Sequence, residues 1–354
     1  MDILIADDFD EVDEPAPVIL KRPLERVLDA YGLGSGELRI ASIGEGHSNF
    51  TFLIGRDDLR VVLRRPPRPP YEPTAHDVLR EARIVAGLAG SRVPVPRILL
   101  TCADVSVMGA PFYVMEYLEG EIITARTPAA LDDPAGRRGI ALRLVDTLAE
   151  IHAFDWRSAD LRLRDTDDYL ERQLIRFGKL LHETARRDLP LLERTLELLS
   201  ANLPKSCPNT LVHGDFRLGN LMWAADAPPR VIATFDWEMA AIGDPLVDVG
   251  YLLSTWPEPG DASGALLSLA GAVGHGGYPG RAELARYYSE RTGRSLEAIN
   301  WYVALALWRV AVGLETFYQR MVDGTFTRDA FTEGLETGVP ELARRAYATI
   351  SAVS

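Results

Sequence analysis

The segment Leu211–Glu238, LVHGDFRLGNLMWAADAPPRVIATFDWE, holds a His-Gly-Asp at 213–215, an Asn at 220 and an Asp-Trp-Glu at 236–238. A carboxylate at Asp215 is followed five residues on by the carboxamide of Asn220, and sixteen beyond that by a second carboxylate, Asp236. This pattern suits phosphoryl transfer. Asp215 would take or orient the proton of an attacking hydroxyl, as a general base must. The neutral oxygen of Asn220 and the charged oxygen of Asp236 suit a Mg²⁺ ion that also keeps phosphate ligands. Within the segment, Thr210–Val212, Asn220–Trp223 and Val231–Phe235 predict short strands, the last two joined by a turn at Asp226-Ala227-Pro228-Pro229. Asp215 then falls on a loop directly after a strand, where it can be held rigidly. A single DxxxxN carries little information; HGDxxxxN followed by an apolar strand and Asp-Trp-Glu is a compound signal.

Neighbouring residues read differently. His213 is expected to brace the loop and not to act as an acid or base. Asp248, in Gly243-Asp244-Pro245-Leu246-Val247-Asp248, is expected to cap or brace the same loop from the following helix. Trp237 and Glu238 either contact substrate or pack.

Upstream, Pro23–Tyr31 predicts a short helix ending at Gly32. From Glu37 the apolar residues alternate: Leu38, Ile40 and Ile43, then Phe50, Phe52 and Ile54, then Val61 and Leu63. That periodicity predicts an antiparallel meander of three strands. The Pro-rich run 64–73 is a loop, and Thr74 reads as the N-cap of a helix reaching about Ala89, with Asp77 in a capping-box position. Val78, Ala82, Val85 and Leu88 line its apolar face. Two more strands, at about 97–103 and 111–117, complete a five-stranded antiparallel sheet with one helix inserted after the third strand. Beyond Leu118-Glu119-Gly120 the pattern is mostly helical, with an apolar stripe at Ile140, Leu144, Leu148 and Ile151 and helices near 169–185, 191–203, 282–291 and 299–321.

Two further groups fit a nucleotide. Gly44-Glu45-Gly46-His47-Ser48-Asn49 lies between two predicted strands, where Gly44, Gly46, Ser48 and Asn49 would let backbone N–H groups approach a phosphate. A dinucleotide-binding turn should lead into a helix, and here a strand follows, so that reading is disfavoured. On the third strand, Arg64 would pair with nucleotide phosphates, held by Glu81 of the following helix. Arg presents a planar fork where a Lys would present a point charge.

Bulk properties bound the rest. A length of 354 residues suggests about two domains. The hydrophobic fraction of 47% and charged fraction of 25% are those of a soluble globular protein. No apolar run is long enough to span a bilayer; Trp301–Phe317 is interrupted by Arg309 and Glu315 and predicts a buried amphipathic helix. The N-terminus lacks the basic and apolar regions of a secretory signal, and Cys102 and Cys207 show no metal or CxxC spacing. A reducing, cytoplasmic setting is expected. Of the net charge of −13, seven negative charges lie between Asp2 and Glu14, so residues 1–20 read as an acidic, solvated leader and the body carries about −6. Such a body lacks the basic footprint of a nucleic-acid binder.

HGDFRLGNLMW, FDWEMAAIGDPLVDVGYL, GEGHSNFTF and VLRRPP resemble the aminoglycoside phosphotransferase superfamily of small-molecule kinases. LRRPP and DWExxxxGDPxxD are most similar to the branch that includes the kinase-like domain of acyl-CoA dehydrogenase 10/11 type proteins. The resemblance spans about residues 25–325. It implies an α+β, protein-kinase-like fold of two lobes: a nucleotide-binding N-terminal lobe at 21–117, a catalytic and substrate-binding helical lobe at 118–354, and ATP, or GTP, in the cleft. It implies Asp215 as catalytic base and Asn220 and Asp236 as magnesium ligands. It also implies Glu116, Tyr117 and Leu118 as the hinge that binds the adenine edge through its backbone. Asp236-Trp237-Glu238 lacks the glycine of protein kinases, so a swinging activation segment and protein substrates are not expected.

The reading is therefore an ATP-dependent phosphotransferase acting on a small-molecule hydroxyl, with a hydroxy acid or hydroxyacyl thioester favoured over an aminoglycoside. Arginines 157, 162, 164, 172 and 176 are candidates for an anion-tolerant acceptor pocket, and a solvated helical surface is their plainer reading. A nucleotide-binding protein without transferase activity and a metal-dependent phosphohydrolase are the alternatives of other classes.

Overall fold

A computed structural model describes residues 5–8, 18–43, 49–67, 76–261 and 265–353. The chain divides into two units, one of residues 1–119, 159–161 and 236–238, the other of 120–158, 162–235 and 239–354.

The first unit is built on the alternation seen in the sequence. β1 (Ile5–Ala6) and β2 (Ile19–Leu20) pair in parallel ahead of α1 (Lys21–Ala30). Val18, Ile19 and Leu20 are buried and join the core with Leu24 and Leu28 of α1. Residues 18–20 therefore do not belong to a solvated leader: three consecutive aliphatic side chains outweigh the acidic context that precedes them. Asp7 and Asp8 lie near Lys21 and Arg22 at 3.8 and 3.9 Å. The α1 helix begins two residues earlier than its Pro23 suggests and buries that proline.

The main sheet contains β3 (Arg39–Ser42), β4 (Phe50–Gly55), β5 (Arg60–Arg65), β6 (Ile98–Cys102) and β7 (Phe112–Glu116) in the order β3-β4-β5-β7-β6, every neighbouring pair antiparallel. Helix α2 (Val78–Leu88) follows the third of these strands, and Val78, Ala82, Val85 and Leu88 are all buried. Its N-cap is Asp77, whose side chain accepts the Arg80 N–H at 2.9 Å. The cap is thus Asp77 where the sequence pointed to Thr74, which lies outside the described residues. A short α3 (Val105–Met108), unforeseen in the sequence, connects β6 to β7.

The second unit is mainly helical. β8 (Glu121–Ile122) precedes α4 (Pro134–His152), α5 (Tyr169–Thr184) and α6 (Pro190–Ala201). Then come β9 (Thr210–Val212), β10 (Leu221–Trp223), β11 (Val231–Thr234) and β12 (Ala241–Gly243). β8, β10 and β11 form one antiparallel sheet, and β9 pairs with β12 in another. The remaining helices are α7 (Leu246–Thr255), the short α8 (Ala265–Ser268) and α9 (Gly271–Gly274), α10 (Arg281–Thr292), α11 (Ile299–Val322) and α12 (Ala330–Ser351).

Helix α11 is the apolar axis of this unit. Trp301 and Trp308 are fully buried, and their indole N–H groups donate to the Leu199 and Leu192 carbonyls of α6 at 3.0 Å each. Helix α7 approaches α11 so closely at Gly250 that a Cβ there would stand 2.5 Å from the Tyr302 backbone. Among the described residues, no helix is long and apolar enough to cross a membrane.

Candidate active site

In the first unit the site grows from strand alternation. β5 buries Val61 and Leu63 in the core, so its other face carries Val62 and Arg64. The adjacent Arg65 follows Leu63 instead and donates to the carbonyls of Val18, Pro66 and Met108. Arg64 Nε lies 3.0 Å from Glu81 Oε2, close but out of hydrogen-bond alignment, and Arg64 Nη2 donates to Asp236 Oδ1 at 2.7 Å. Glu238 is a third carboxylate, at 3.7 Å. Burial alone would favour loss of the Arg64 proton, but Glu81, Asp236 and Glu238 hold the guanidinium firmly charged.

Glu81 is 2% exposed. Burial pushes its carboxyl up while Arg64 and the Trp237 backbone N–H pull it down. Tyr113 pairs with Arg64 across the β5–β7 register, and burial beside Glu81 keeps its phenol protonated. Sequence reasoning missed Tyr113, because an aromatic in a buried strand carries no mark that separates a phenol set beside a carboxylate from core filling. Asp236 has φ 67°, left-handed backbone that a short carboxylate residue tolerates better than a branched one. Trp237 is fully buried, so it packs. Glu238 accepts from Asn49 Nδ2 at 3.0 Å, and its carbonyl accepts from Arg80 at 3.0 Å.

The remaining nucleotide-binding candidates divide. Asn49 is buried with both ends of its amide engaged, by Glu238 and by His76 Nδ1 at 3.1 Å. Its side chain is thus a brace. Gly44, Gly46 and Ser48 lie outside the described residues. Glu116 closes β7 and accepts the Arg97 N–H at 2.7 Å. Tyr117 and Leu118 follow it, half-buried, with Arg60 4.4 Å above the Tyr117 ring.

In the second unit, buried β9 delivers the HGD loop. Gly214 has φ 87°, and a Cβ there would meet the Met239 carbonyl at 2.6 Å, so only glycine fits. Asp248 of α7 accepts the His213 N–H at Oδ2 and the Gly214 N–H at Oδ1, each at 2.7 Å. It also accepts His152 Nε2–H at 3.1 Å, while His152 Nδ1 takes the Tyr288 hydroxyl at 2.7 Å. Burial lowers the basicity of His152 and keeps the imidazole neutral. Burial works against ionised Asp248, yet the bonds from His152 and the His213 backbone hold its carboxyl below the ordinary range. His213 is fully buried; its Nε2 donates to the Phe235 carbonyl at 2.8 Å, and its Nδ1 accepts the Asp215 N–H at 3.3 Å. Both His213 and Asp248 therefore brace the loop.

Asp215 has three side chains around it. Asn220 Nδ2 donates to its Oδ2 and to its carbonyl, each at 2.8 Å. Arg217 Nε stands 3.6 Å from Oδ2, and the carboxylate beside the buried Tyr251 phenol helps to keep that phenol protonated. Tyr251 escaped the sequence reading. The available signal was its position three residues after Asp248 on the same helix face. His152, sixty-one residues before His213, had no local signal.

The two sequence candidates for magnesium, Asn220 in the second unit and Asp236 in the first, are each taken by themselves. The Asn220 amide is oriented by its Nδ2 bonds, which leaves Oδ1 without a protein donor among the described residues. Asp236 likewise uses Oδ1 on Arg64 and leaves Oδ2. The described residues contain no cluster of three or more His, Cys, Asp or Glu able to hold a metal unaided. Two of the five arginine candidates of the helical unit are matched by acids: Arg157 lies 3.5 Å from Asp165 and Arg172 lies 3.2 Å from Asp168.

With this geometry in view, residues 39–286 match the APH model, the phosphotransferase enzyme family. The chain belongs to that family. It is a small-molecule kinase by family and fold. Mouse acyl-CoA dehydrogenase family member 10 is 33% identical over 307 residues, covering 86% of this chain and 28% of that protein. Human acyl-CoA dehydrogenase family member 11 is 31% identical over 347 residues, covering 93% of this chain and 44% of that protein. The chain thus spans less than half the length of these relatives. A solved structure from Ralstonia eutropha, assigned as an aminoglycoside phosphotransferase, superposes with a TM-score of 0.73 at 28% identity, covering 93% of this chain and 98% of its own. The ternary complex of aminoglycoside phosphotransferase APH(4)-Ia with ADP and hygromycin B shares the fold with a TM-score of 0.60 at 15% identity, covering 92% and 97% of the two chains.

Proposed function

We propose that this kinase transfers the γ-phosphoryl group of ATP, or GTP, to a hydroxyl of a small hydroxy acid or hydroxyacyl thioester. Asp215 is the base. The acceptor oxygen forms a bond to γ-phosphorus as the bond to the β,γ-bridging oxygen breaks; the hydroxyl proton passes to Asp215, and the nucleoside diphosphate leaves. Asn220 and Asp236 supply oxygens to magnesium, which neutralises charge on the phosphates when bound. Arg64 adds a fixed cation, braced by Glu81, and the Glu116–Leu118 backbone takes the base edge. Gly44, Gly46 and Ser48 remain candidates for the phosphate loop.

The observation that carries this reading is the grip on Asp215. A carboxylate that receives Asn220, on a loop whose backbone is pinned by Asp248, is set in one place before substrate arrives. Phosphoryl transfer is catalysed chiefly by such positioning and by charge neutralisation. The acceptor class is supported by the relatives, which are named for acyl-CoA substrates. A screen with ATP and Mg²⁺ against hydroxy acids, hydroxyacyl thioesters and aminoglycosides, reading the phosphorylated product directly, tests both points. Product from the first two classes supports the reading. Product from aminoglycosides alone overturns the acceptor class, and nucleotide hydrolysis with no phosphorylated product overturns the transferase.

A further inference from the structure

Arg309 and Glu315 stand six residues apart in the apolar stretch of helix α11, and the protein treats them differently. Glu315 is fully buried and fully matched. Arg187 donates to both its oxygens at 2.6–3.1 Å, and Gln319 adds a bond at 2.7 Å. Arg309 is half-buried and unmatched. Among the described residues it has no carboxylate at ion-pair distance, and its buried Nε has no hydrogen-bond partner. Its guanidinium carbon rests 4.9 Å from the centre of the buried Phe177 ring. A ring face attracts a cation but does not replace a counter-ion. A guanidinium drawn partly out of water without an anion is unfavourable, and an orphaned buried donor calls for a reason.

Its surroundings point to one. Arg309 acts electrostatically on the phenols of Tyr251 and Tyr169. Tyr251 is the residue whose phenol lies beside Asp215. The close approach at Gly250 is what lets α7 bring Tyr251 against α11. Arg217, 3.6 Å from Asp215, adds a second cation on the same side of the unit. The carboxylates acting on these two phenols, Asp215 at Tyr251 and Asp248 and Asp244 at Tyr169, already have partners of their own.

We propose that Arg309, with Tyr251 and Phe177, receives an anionic group of the phosphate acceptor, a carboxylate or a phosphoryl oxyanion carried close to the hydroxyl that Asp215 deprotonates. This rests on the phosphotransferase reading above and narrows its acceptor. The planar guanidinium matches either oxyanion through paired N–H donors, and the buried Nε–H would gain its missing acceptor. Polycationic acceptors would be repelled by Arg309 and Arg217 together.

The test is calorimetric titration of the full chain with matched probes: 3-hydroxybutanoate against methyl 3-hydroxybutanoate, and glycerol 3-phosphate against glycerol. At least one anion should bind about tenfold more tightly than its uncharged twin, and the preferred pair distinguishes carboxylate from phosphoryl. Arg309→Met should erase the preference and Arg309→Lys should keep part of it. Because Met removes an uncompensated cation, the melting temperature of Arg309→Met should stay level or rise, whereas an arginine kept for structure would lower it. No saturable binding by either anion, no discrimination within either pair, or a preference that survives in Arg309→Met overturns the inference. The acceptor screen, run in parallel, separates it from the reading beneath it. Transfer without charge preference sinks the anion site and keeps the kinase mechanism. Charge-dependent binding with transfer to no acceptor does the reverse.

Discussion

The surroundings of Arg64 and of Asp215 use opposite means to fix a charged side chain. Arg64 is fixed by other charges: three carboxylates from separate parts of the chain meet one guanidinium. Asp215 is fixed chiefly by the neutral amide of Asn220, with Arg217 3.6 Å away, and by a loop whose His213 and Gly214 N–H groups donate to Asp248. The first arrangement is the more adjustable, since attraction between charges depends little on angle. The second is stiffer, because its hydrogen bonds, at 2.7–2.8 Å, depend on angle.

The contrast can be broken most severely at the base. Asp215→Ala should cut phosphoryl transfer by about a thousandfold while the melting temperature changes little, and near wild-type turnover on the acceptor would sink the mechanism. Next comes the brace. Asp248→Ala leaves two backbone N–H groups and His152 buried without their acceptor, which should cost about 3 kcal/mol and lower the melting temperature by several degrees, with activity lost alongside. A melting temperature equal to wild type would mean that water or a shifted side chain replaces the carboxylate. At the adjustable end, Arg64→Ala should weaken nucleotide binding by about tenfold with a smaller loss of stability, read by calorimetry; unchanged affinity would move the phosphate contact elsewhere.

Protonation probes the same brace more gently. Burial sets His152 below its ordinary 6.5, and the Asp248 carboxyl is also held below its ordinary range. In both cases the unfolded chain binds more protons, so the stability from this pair is present above those ordinary values and falls as pH falls. The melting temperature should drop by a few degrees between about pH 7.5 and about pH 5.5, and His152→Gln should flatten that part of the profile. The smallest effect is expected at Arg60, which stacks on Tyr117. If the base edge is bound through backbone groups, Arg60→Ala should change nucleotide affinity by less than about threefold.

Legibility in the sequence followed the range of the interactions. The five-stranded sheet and the buried face of α2 are periodic, and periodicity is local. Arg64 and Glu81 could be matched because a strand and the helix after it form one supersecondary unit. Asp248 could be tied to the HGD loop because the two lie in one segment. The Tyr113 phenol beside Glu81 is hidden because an aromatic on a buried strand satisfies the core pattern whether or not its hydroxyl has work. His152 and Tyr288 reach Asp248 from helices far away in sequence, and only packing reveals them. Val18–Leu20 were masked by the acidic composition around them, a reminder that an average over twenty residues hides three that bury.

The neighbouring arginines of β5 have a consequence for how this protein can change. Arg64 and Arg65 point to opposite faces, one to Glu81 and one to the carbonyls of Val18 and Met108. A deletion of a single residue anywhere in the strand would exchange their surroundings and drive an aliphatic side chain onto the charged face. Removing two would keep the parity. Length variation in this strand is therefore constrained to even steps, so point substitutions are open to it where single-residue insertions and deletions are not.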